Sequence, residues 1–576
     1  MDKNGRVLVV FGEELPKGDL SRYDAVIAGD ELNEFTEPGS IYEASAFAEE
    51  LSHLKLDDGS RIAKSFNYKG YELWWLYYSS LFLFFCLPYT QYKKLLLHLK
   101  DFQSVSFYEP PYKSLFSCYL EAHGCKVTIL RSPGFKSPSF LPFGVFLQIL
   151  ITLLSIPILM VRRRHTMLSI GDKFEKSEDY DFRMKFMYED LRQKGIPFVE
   201  FIRSLESWKT VLLHAFKRAR PVIYSEGVAF IGRFASLVSG GRAQARRRFG
   251  TQVFASERDP EARFKFLIAT QYLLSVYDDV WAIRMMKLIL RVIGVKVTLA
   301  TAASDRNFHA ILGSKLNDIP TIGILHGVAS RYYNMHDFTP GFDGEKMLSI
   351  DKYGLWSEWW KEYYLKYSKA YKPEQLFVSG PMRPLERKKG SDLNADSKDP
   401  TLKPGPIKVL FLAGQLTVPQ EALPYLLKLV ENKDLSVCIT FRTPRDDFEK
   451  WLRKRHPEVL EKVGQGNILY GNIHNIISQC DVVVGSYSTG VLEALLQLKI
   501  PIFFRTQKWG DYYSLKEYDD RHSFFAENPT ELIEKINNAR SVSIETLRDL
   551  QERYFGDPHK NGSKWVVEQA EKILFQ

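Results

Sequence analysis

The sequence predicts an α/β protein with two Rossmann-like domains and an apolar helical insertion in the first of them. Three observations lead to this prediction. Short apolar strands alternate with helical segments in two successive series, which is typical of doubly wound parallel sheets. A polar stretch at residues 387–406 separates the two series, and an apolar stretch at residues 137–165 interrupts the first.

The composition is that of a globular protein with more than one domain. The chain has 576 residues, of which 45% are hydrophobic and 26% charged, which excludes a disordered or fibrous chain. The five cysteines show no CxxC spacing, so we expect a reducing compartment and no zinc site. The net charge is +9, and basic clusters in the middle of the chain could meet phosphates, nucleic acid or an anionic membrane, or be solvated helix faces. We expect no nucleic acid among the partners. The first residues carry no signal-peptide pattern, which predicts a cytoplasmic protein.

Residues 1–136 are predicted to form the first, Rossmann-like part of the N-terminal domain. Strand-like runs begin at Val7, Val105 and Lys126, and the last two make a β-α-β unit that needs a larger parallel sheet. The apolar run Leu73–Tyr92 is long enough to cross a membrane. A crossing there would split one domain between two compartments. We therefore predict a buried helix for this run.

The second apolar stretch, at residues 137–165, has stronger membrane character. It contains Pro142 and Pro157 and ends in three consecutive arginines, residues 162–164. A full crossing would separate residues 1–136 from the rest of their domain. We therefore expect an in-plane or re-entrant insertion at the inner face of the cell membrane, with a peripheral or monotopic protein. The alternative is a core helix.

The remaining boundaries follow from the strand series. Residues 166–386 are predicted to complete the N-terminal domain, which would bind an acceptor, and residues 387–406 form the linker. Residues 407–576 form the C-terminal domain, with five strands and three closing helices. Two such sheets leave a cleft, and open α/β sheets bind ligands at the carboxyl ends of their strands.

The most informative segment is a hydroxyl-rich turn between a buried strand and a helix. Ser486, Ser488, Thr489 and Gly490 present hydroxyls and backbone N–H groups at this turn, which is an arrangement that binds phosphates. Glu493 lies one helical turn further along, where it could accept hydrogen bonds from a ribose. The alternative is an ordinary helix cap followed by a solvent-facing glutamate.

These residues resemble the nucleotide-binding half of GT-B glycosyltransferases. Among these, the chain is most similar to bacterial surface-polysaccharide enzymes, namely capsule and polysialic-acid-type transferases and CDP-glycerol glycerophosphotransferase-like enzymes. The resemblance covers about residues 295–510. It rests on the following elements: Ser488-Thr489-Gly490, Glu493-Ala494-Leu495, the strand Ile500–Phe504, His326-Gly327 as an "HG" element, and Gly380-Pro381-Met382-Arg383 as a "GxPR" element with one residue inserted or shifted.

The resemblance implies a donor in the C-terminal domain and a catalytic base in the N-terminal domain. His326 follows a buried strand and precedes a glycine, and an imidazole suits proton removal from a sugar hydroxyl. Asp305 and Glu109 are reserve bases, since both follow strands. A structural histidine is the alternative for His326.

Further donor contacts are predicted at two other turns and at the "GxPR" element. Gly414 and Gln415 follow the first C-terminal-domain strand, where a glycine lets the backbone approach a ligand. Arg442 stands where sialyl-type enzymes carry a His-Pro pair, which argues against a CMP-sugar donor. Arg442 and Arg383 are predicted to meet the phosphates. We expect no cofactor and no metal, with leaving-group charge met by these groups.

The sequence thus predicts a metal-independent transferase in surface polysaccharide synthesis. It would move a sugar from a nucleotide-sugar donor to a glycan or lipid-linked acceptor. Three alternatives remain open at this point: a CDP-glycerol-type polyol phosphate transferase, a nucleotide-sugar 2-epimerase of the same two-domain fold, and a non-catalytic scaffold in a polysaccharide assembly complex.

Overall fold

The structure is a computed structural model that describes most of the chain. The described residues are 5–11, 15–16, 19–131, 142–161, 165–170, 184–202, 208–209, 211–212, 221–250, 259–303, 308–332, 335–385, 405–414, 417–441, 447–507, 510 and 524–575.

The predicted α/β class with parallel sheets is confirmed. Three sheets of four, seven and six strands are present, and every pairing within them is parallel. The seven- and six-stranded sheets correspond to the two strand series of the sequence. The four-stranded sheet is an additional unit at the start of the chain.

The first sheet has the strand order β2-β1-β5-β6, and a small hairpin of β3 and β4 accompanies it. Its strands are β1 (Arg6–Val10), β2 (Ala25–Ala28), β3 (Asn67–Tyr68), β4 (Tyr71–Glu72), β5 (Ser104–Tyr108) and β6 (Lys126–Arg131). Its helices are α1 (Gly29–Glu34), α2 (Ile41–His53), α3 (Tyr78–Leu81), α4 (Leu87–Leu99) and α5 (Lys113–Ala122). These strands do not join the second sheet.

The run Leu73–Tyr92 is helical and mostly buried, as predicted. It begins as a 3-10 turn, passes through α3 and a π-helical turn at Phe82–Cys86, and continues into α4. Trp74 and Trp75 are almost fully buried, and the indole N–H of Trp74 donates to the carbonyl of Ala269 at 3.1 Å. The buried helix predicted for this run is therefore confirmed for most of its residues.

The second sheet has the order β13-β12-β11-β10-β7-β8-β9. Its strands are β7 (His165–Ile170), β8 (Phe198–Ile202), β9 (Val222–Tyr224), β10 (Val295–Ala300), β11 (Thr321–Ile324), β12 (Lys352–Leu355) and β13 (Leu376–Val378). The helices of this stretch are α6 (Pro142–Val161), α7 (Lys185–Gln193), α8 (Ser225–Val238), α9 (Gly241–Ala245), α10 (Pro260–Thr270), α11 (Val276–Ile293), α12 (Phe308–Lys315), α13 (Met335–Phe338) and α14 (Glu358–Tyr367).

Two details of this region differ from the expected pattern. The residue pattern of 205–293 predicts a largely helical stretch, but its described part contains the three-residue edge strand β9. Helix α10 packs on α5 and α2 and so belongs with the first sheet.

Within the apolar stretch 137–165, α6 is a continuous helix, and by length and composition it could cross a membrane.

The third sheet has the order β16-β15-β14-β17-β18-β19. Its strands are β14 (Ile407–Ala413), β15 (Leu435–Phe441), β16 (Ile468–Leu469), β17 (Val482–Gly485), β18 (Ile500–Phe504) and β19 (Phe525–Ala526). The helices are α15 (Pro419–Glu431), α16 (Asp447–Arg455), α17 (Pro457–Val463), α18 (Ile473–Ile477), α19 (Thr489–Leu492), α20 (Pro529–Asn538), α21 (Ile544–Phe555) and α22 (Gly562–Phe575).

The last helix does not pack on the sheet that precedes it in the chain. Val566, Val567 and Ala570 of α22 are buried in one cluster with residues of β10 and β11 in the second sheet. The predicted domain boundaries stay predictions.

Candidate functional site

Two turns of the third sheet meet where its strand order reverses. The chain runs outward from β14 to β15 and β16, then returns to place β17 on the other side of β14. Such a reversal opens a crevice at the carboxyl ends of the two central strands, and open α/β sheets bind ligands there. Gly414 follows β14, and Ser486 follows β17. The predicted donor turns therefore lie side by side.

Hydrogen bonds connect the two turns. The backbone N–H of Gly414 donates to Thr417 Oγ1 at 2.8 Å, and this hydroxyl lies 3.1 Å from Ser486 Oγ. A Cβ atom on Gly414 would lie 3.1 Å from the Cβ of Ser488. The close approach explains why a residue without a side chain occupies the first turn.

The hydroxyl-rich turn is open on one side only. Ser486 and Gly490 are buried, whereas Ser488 and Thr489 are half-buried. Ser488 Oγ accepts from the backbone N–H of Gly490 at 3.3 Å and so caps α19. The turn is thus both a helix cap and an accessible polar surface.

The accessible side faces the second sheet. His326 and Gly327 follow β11, and both are half-buried. A Cβ atom on Gly327 would lie 2.9 Å from Thr489 Oγ1. The "HG" element is therefore in direct contact with the hydroxyl-rich turn of the other sheet, although more than 150 residues separate them in sequence.

We expect Gly327→Ala to destabilise the protein by about 1–3 kcal/mol, because the added methyl group overpacks this contact. Thr489→Ala removes the opposing hydroxyl and should recover most of that loss. The measurement is a double-mutant cycle on the free energy of unfolding in urea. Strictly additive effects of the two substitutions would show that the turns do not touch.

Glu493 lies at the end of α19 in a buried ionic cluster. Its side chain forms an ion pair with Arg383, and its Oε2 lies 3.3 Å from His474 Nε2. Burial by itself raises the pKa of Glu493, but the charge of Arg383 and the hydrogen bond with His474 outweigh burial and hold the pKa below its usual range. Glu493 is only 4% exposed. The alternative of a solvent-facing glutamate is therefore wrong.

The segment that carries Arg383 is fixed by the first residues of α22. The backbone N–H of Gly562 donates to the carbonyl of Pro381 at 3.0 Å, and Ser563 Oγ donates to the carbonyl of Met382 at 2.8 Å. A Cβ atom on Gly562 would lie 2.4 Å from the carbonyl oxygen of Gly380. Arg383 is thus held toward the third sheet, where it contacts Glu493 and joins the two sheets. The roles predicted for both residues, at the phosphates and at the ribose, stay predictions.

Of four further predicted residues, the structure describes one. Gln415, Arg442 and the reserve base Asp305 lie outside the described residues. The other reserve base, Glu109, follows β5 in the first sheet and forms an ion pair with Arg131 at 3.0 Å. Among the described residues, no group of three or more His, Cys, Asp or Glu side chains could hold a metal ion.

Two residues of the site were not singled out in the sequence. Thr417 connects the two donor turns, and His474 contacts Glu493. Thr417 carries a detectable signal, since a hydroxyl three residues after the turn glycine can accept from the glycine N–H. His474 carries none, because it approaches Glu493 only after α18 has packed beside the turn that follows α19.

No protein-family model and no curated protein sequence matches the chain. Several solved structures match the chain at low sequence identity. A glycosyltransferase from Rickettsia africae is 13% identical, with 72% of this chain and 99% of that chain covered and a TM-score of 0.37. The UDP-GlcNAc 2-epimerase from Neisseria meningitidis, bound to UDP-GlcNAc, is 14% identical, with 71% and 100% covered and a TM-score of 0.40. The calicheamicin glycosyltransferase is 10% identical, with 72% and 99% covered and a TM-score of 0.41. Similarities this distant carry no argument about activity.

Proposed function

We propose that the protein is a glycosyltransferase that moves a sugar from a nucleotide-sugar donor to a hydroxyl group of a glycan or lipid-linked acceptor. One observation carries the proposal. The hydroxyl-rich turn at the strand-order reversal of the third sheet contacts Gly327 of the second sheet, and His326 directly precedes that glycine. The proposed phosphate-binding turn and the candidate base therefore belong to two segments that touch.

This arrangement suits a displacement at the anomeric carbon. The donor diphosphate would lie over Ser488 and Thr489, whose hydroxyls can donate to the departing phosphate oxygens. His326 would take the proton of the acceptor hydroxyl, whose oxygen forms the new bond to the anomeric carbon. The bond from that carbon to the diphosphate breaks, and the nucleoside diphosphate leaves with the electron pair.

Ser488→Ala tests the donor site. Loss of a hydroxyl that contacts a charged phosphate should weaken nucleoside diphosphate binding by about 10- to 100-fold. Titration calorimetry with UDP, GDP, CDP and CMP on the full-length protein measures this directly. The screen also identifies the base of the donor.

The control variant is Ser543→Ala, because Ser543 caps α21 as Ser488 caps α19. Both variants lose about 1 kcal/mol of stability through the cap. Only Ser488→Ala should lose nucleotide affinity. Equal nucleotide affinities of the two variants would show that the donor does not bind at this turn.

The other candidate functions predict different reactions at the same site. A transferase releases nucleoside diphosphate in proportion to added acceptor, whereas a 2-epimerase converts the nucleotide sugar without any acceptor. A CDP-glycerol-type enzyme releases CMP. A scaffold releases nothing with any donor. Product analysis by mass spectrometry, with and without a surface-polysaccharide acceptor, separates the four.

A further inference from the structure

Helix α6 turns its polar residues toward the protein. Gln148, Thr152 and Ser155 are buried at 0%, 1% and 5% exposure. Thr152 Oγ1 accepts from the backbone N–H of Tyr224 at 3.0 Å, and Ser155 Oγ accepts from that of Val222 at 3.2 Å. Strand β9 is the edge of the second sheet, so these hydroxyls satisfy edge N–H groups that have no strand partner.

The opposite side of α6 is apolar and exposed. A helix on a water-facing surface has the reverse arrangement, with apolar residues inward and polar residues outward. The exposed large apolar residues of α6 are Phe146, Leu150, Leu153, Leu154, Ile158, Met160 and Val161.

Helix α8 also has large apolar residues on its exposed side. Its inward positions hold small residues: a Cβ on Gly232 would lie 2.6 Å from the carbonyl of Asp278 in α11, and one on Gly227 would lie 3.5 Å from Ile149 in α6. Small residues between helices and large apolar residues outside are characteristic of helices that pack in lipid. The exposed large apolar residues of α8 are Phe230, Phe234, Leu237 and Val238.

The exposed charges on these helices are of one sign. We call the exposed residues of α6, α8 and α11 the outer face. Among those that the structure describes, every residue is apolar except Arg233, Arg284 and Arg291. Arg233 lies between Phe230 and Phe234 on the exposed side of α8. Arginines within an apolar surface complement anionic lipid headgroups.

We propose that the outer face seats the protein on an anionic lipid bilayer and enters one leaflet only. The buried hydroxyls hold the other side of α6 against the second sheet, so α6 cannot be surrounded by lipid as a spanning helix is. A surface that binds another protein usually forms direct hydrogen bonds and has a polar rim. The outer face has only its three arginines for both purposes, so it suits lipid better than a protein partner. Membrane seating does not depend on the proposed sugar transfer.

The test is sedimentation of the full-length protein with vesicles of phosphatidylcholine mixed with phosphatidylglycerol. We expect the wild type to sediment with these vesicles. Leu154→Glu and Phe234→Glu each remove an apolar contact and add a repelled charge, so each should weaken vesicle binding by about ten-fold or more. Arg233→Gln should weaken binding to the mixed vesicles by about five-fold and leave binding to pure phosphatidylcholine unchanged.

The matched control is Leu365→Glu on α14, since Leu365 is also apolar and 44% exposed. It should bind vesicles as the wild type does. Melting temperatures without lipid should be the same for all variants, because each substitution lies on an exposed side. Nucleotide affinity without lipid should also be unchanged, which keeps the outcome separate from that of the proposed function.

Two results would overturn the membrane proposal. One is a wild type that stays in the supernatant with both vesicle types. The other is a dimer in light scattering that Leu154→Glu dissociates while vesicle binding is unchanged, which would make the outer face a contact between two copies.

Discussion

His326→Asn is expected to lower the rate of sugar transfer by about 10²- to 10⁴-fold, the usual contribution of a general base. Asparagine keeps a polar side chain of similar size but cannot take up the proton of the acceptor hydroxyl. The affinity for nucleoside diphosphate should not change, since the proposed donor site lies on the third sheet. The measurement is kcat with saturating donor and acceptor, together with nucleotide titration of the same variant.

A histidine with a purely structural role would give another pattern. His326→Asn would then lower stability and nucleotide affinity together and leave the pH profile of the remaining activity unchanged. His456→Asn is the control, because His456 is a partly exposed residue that pairs with Glu458 at 3.2 Å. That variant should keep the wild-type rate. If His326→Asn also keeps it, the base is another residue.

Arg383→Met is expected to destabilise the protein by about 3–5 kcal/mol at pH 7, because it leaves the carboxylate of Glu493 buried with His474 as its main partner. The pKa of Glu493 is lowered in the folded protein, so the ion pair contributes fully above the ordinary carboxyl value of 4.5. The contribution is lost as pH falls through the folded value. The difference in unfolding free energy between variant and wild type should therefore become smaller as the pH falls through the folded-state pKa of Glu493.

Urea unfolding at several pH values measures this difference. Arg61→Met is the control, since Arg61 and Asp343 form an ion pair at 2.8 Å with 39% and 50% of their side chains exposed. Exposed pairs contribute about 0–1 kcal/mol. Equal losses for the two arginine variants would contradict a buried, structurally required ion pair. In the double variant Arg383→Met with Glu493→Gln, part of the stability should return, since no uncompensated charge remains.

The strands of the two predicted sheets could be predicted from the sequence because apolar runs of strand length repeat between polar turns. The bounds of β10 and β18 agree with the runs 295–300 and 500–504. Strand β9 was missed, since three residues at a sheet edge leave too short a pattern. The separation of the first sheet was also missed, because strand periodicity does not reveal which strands pair.

The candidate site could also be predicted only in part from the sequence. The hydroxyl-rich turn and the "HG" element were recognised from local residue types, and the structure places them in contact. The partner of Glu493 was not recognised. Arg383 lies 110 residues earlier in the chain, and the first residues of α22 hold its segment in place. No local spacing carries that information.

The return of α22 to the second sheet has a consequence for biosynthesis. The apolar side of β10 and β11 is made early but stays uncovered until residues 562–575 have left the ribosome. The second sheet therefore cannot complete its core before α22 has emerged, although domains commonly fold one after another as they emerge. We expect the second and third sheets to reach their native state together, once residues 562–575 are available, and nascent chains stalled before residue 560 to remain sensitive to protease in the second sheet.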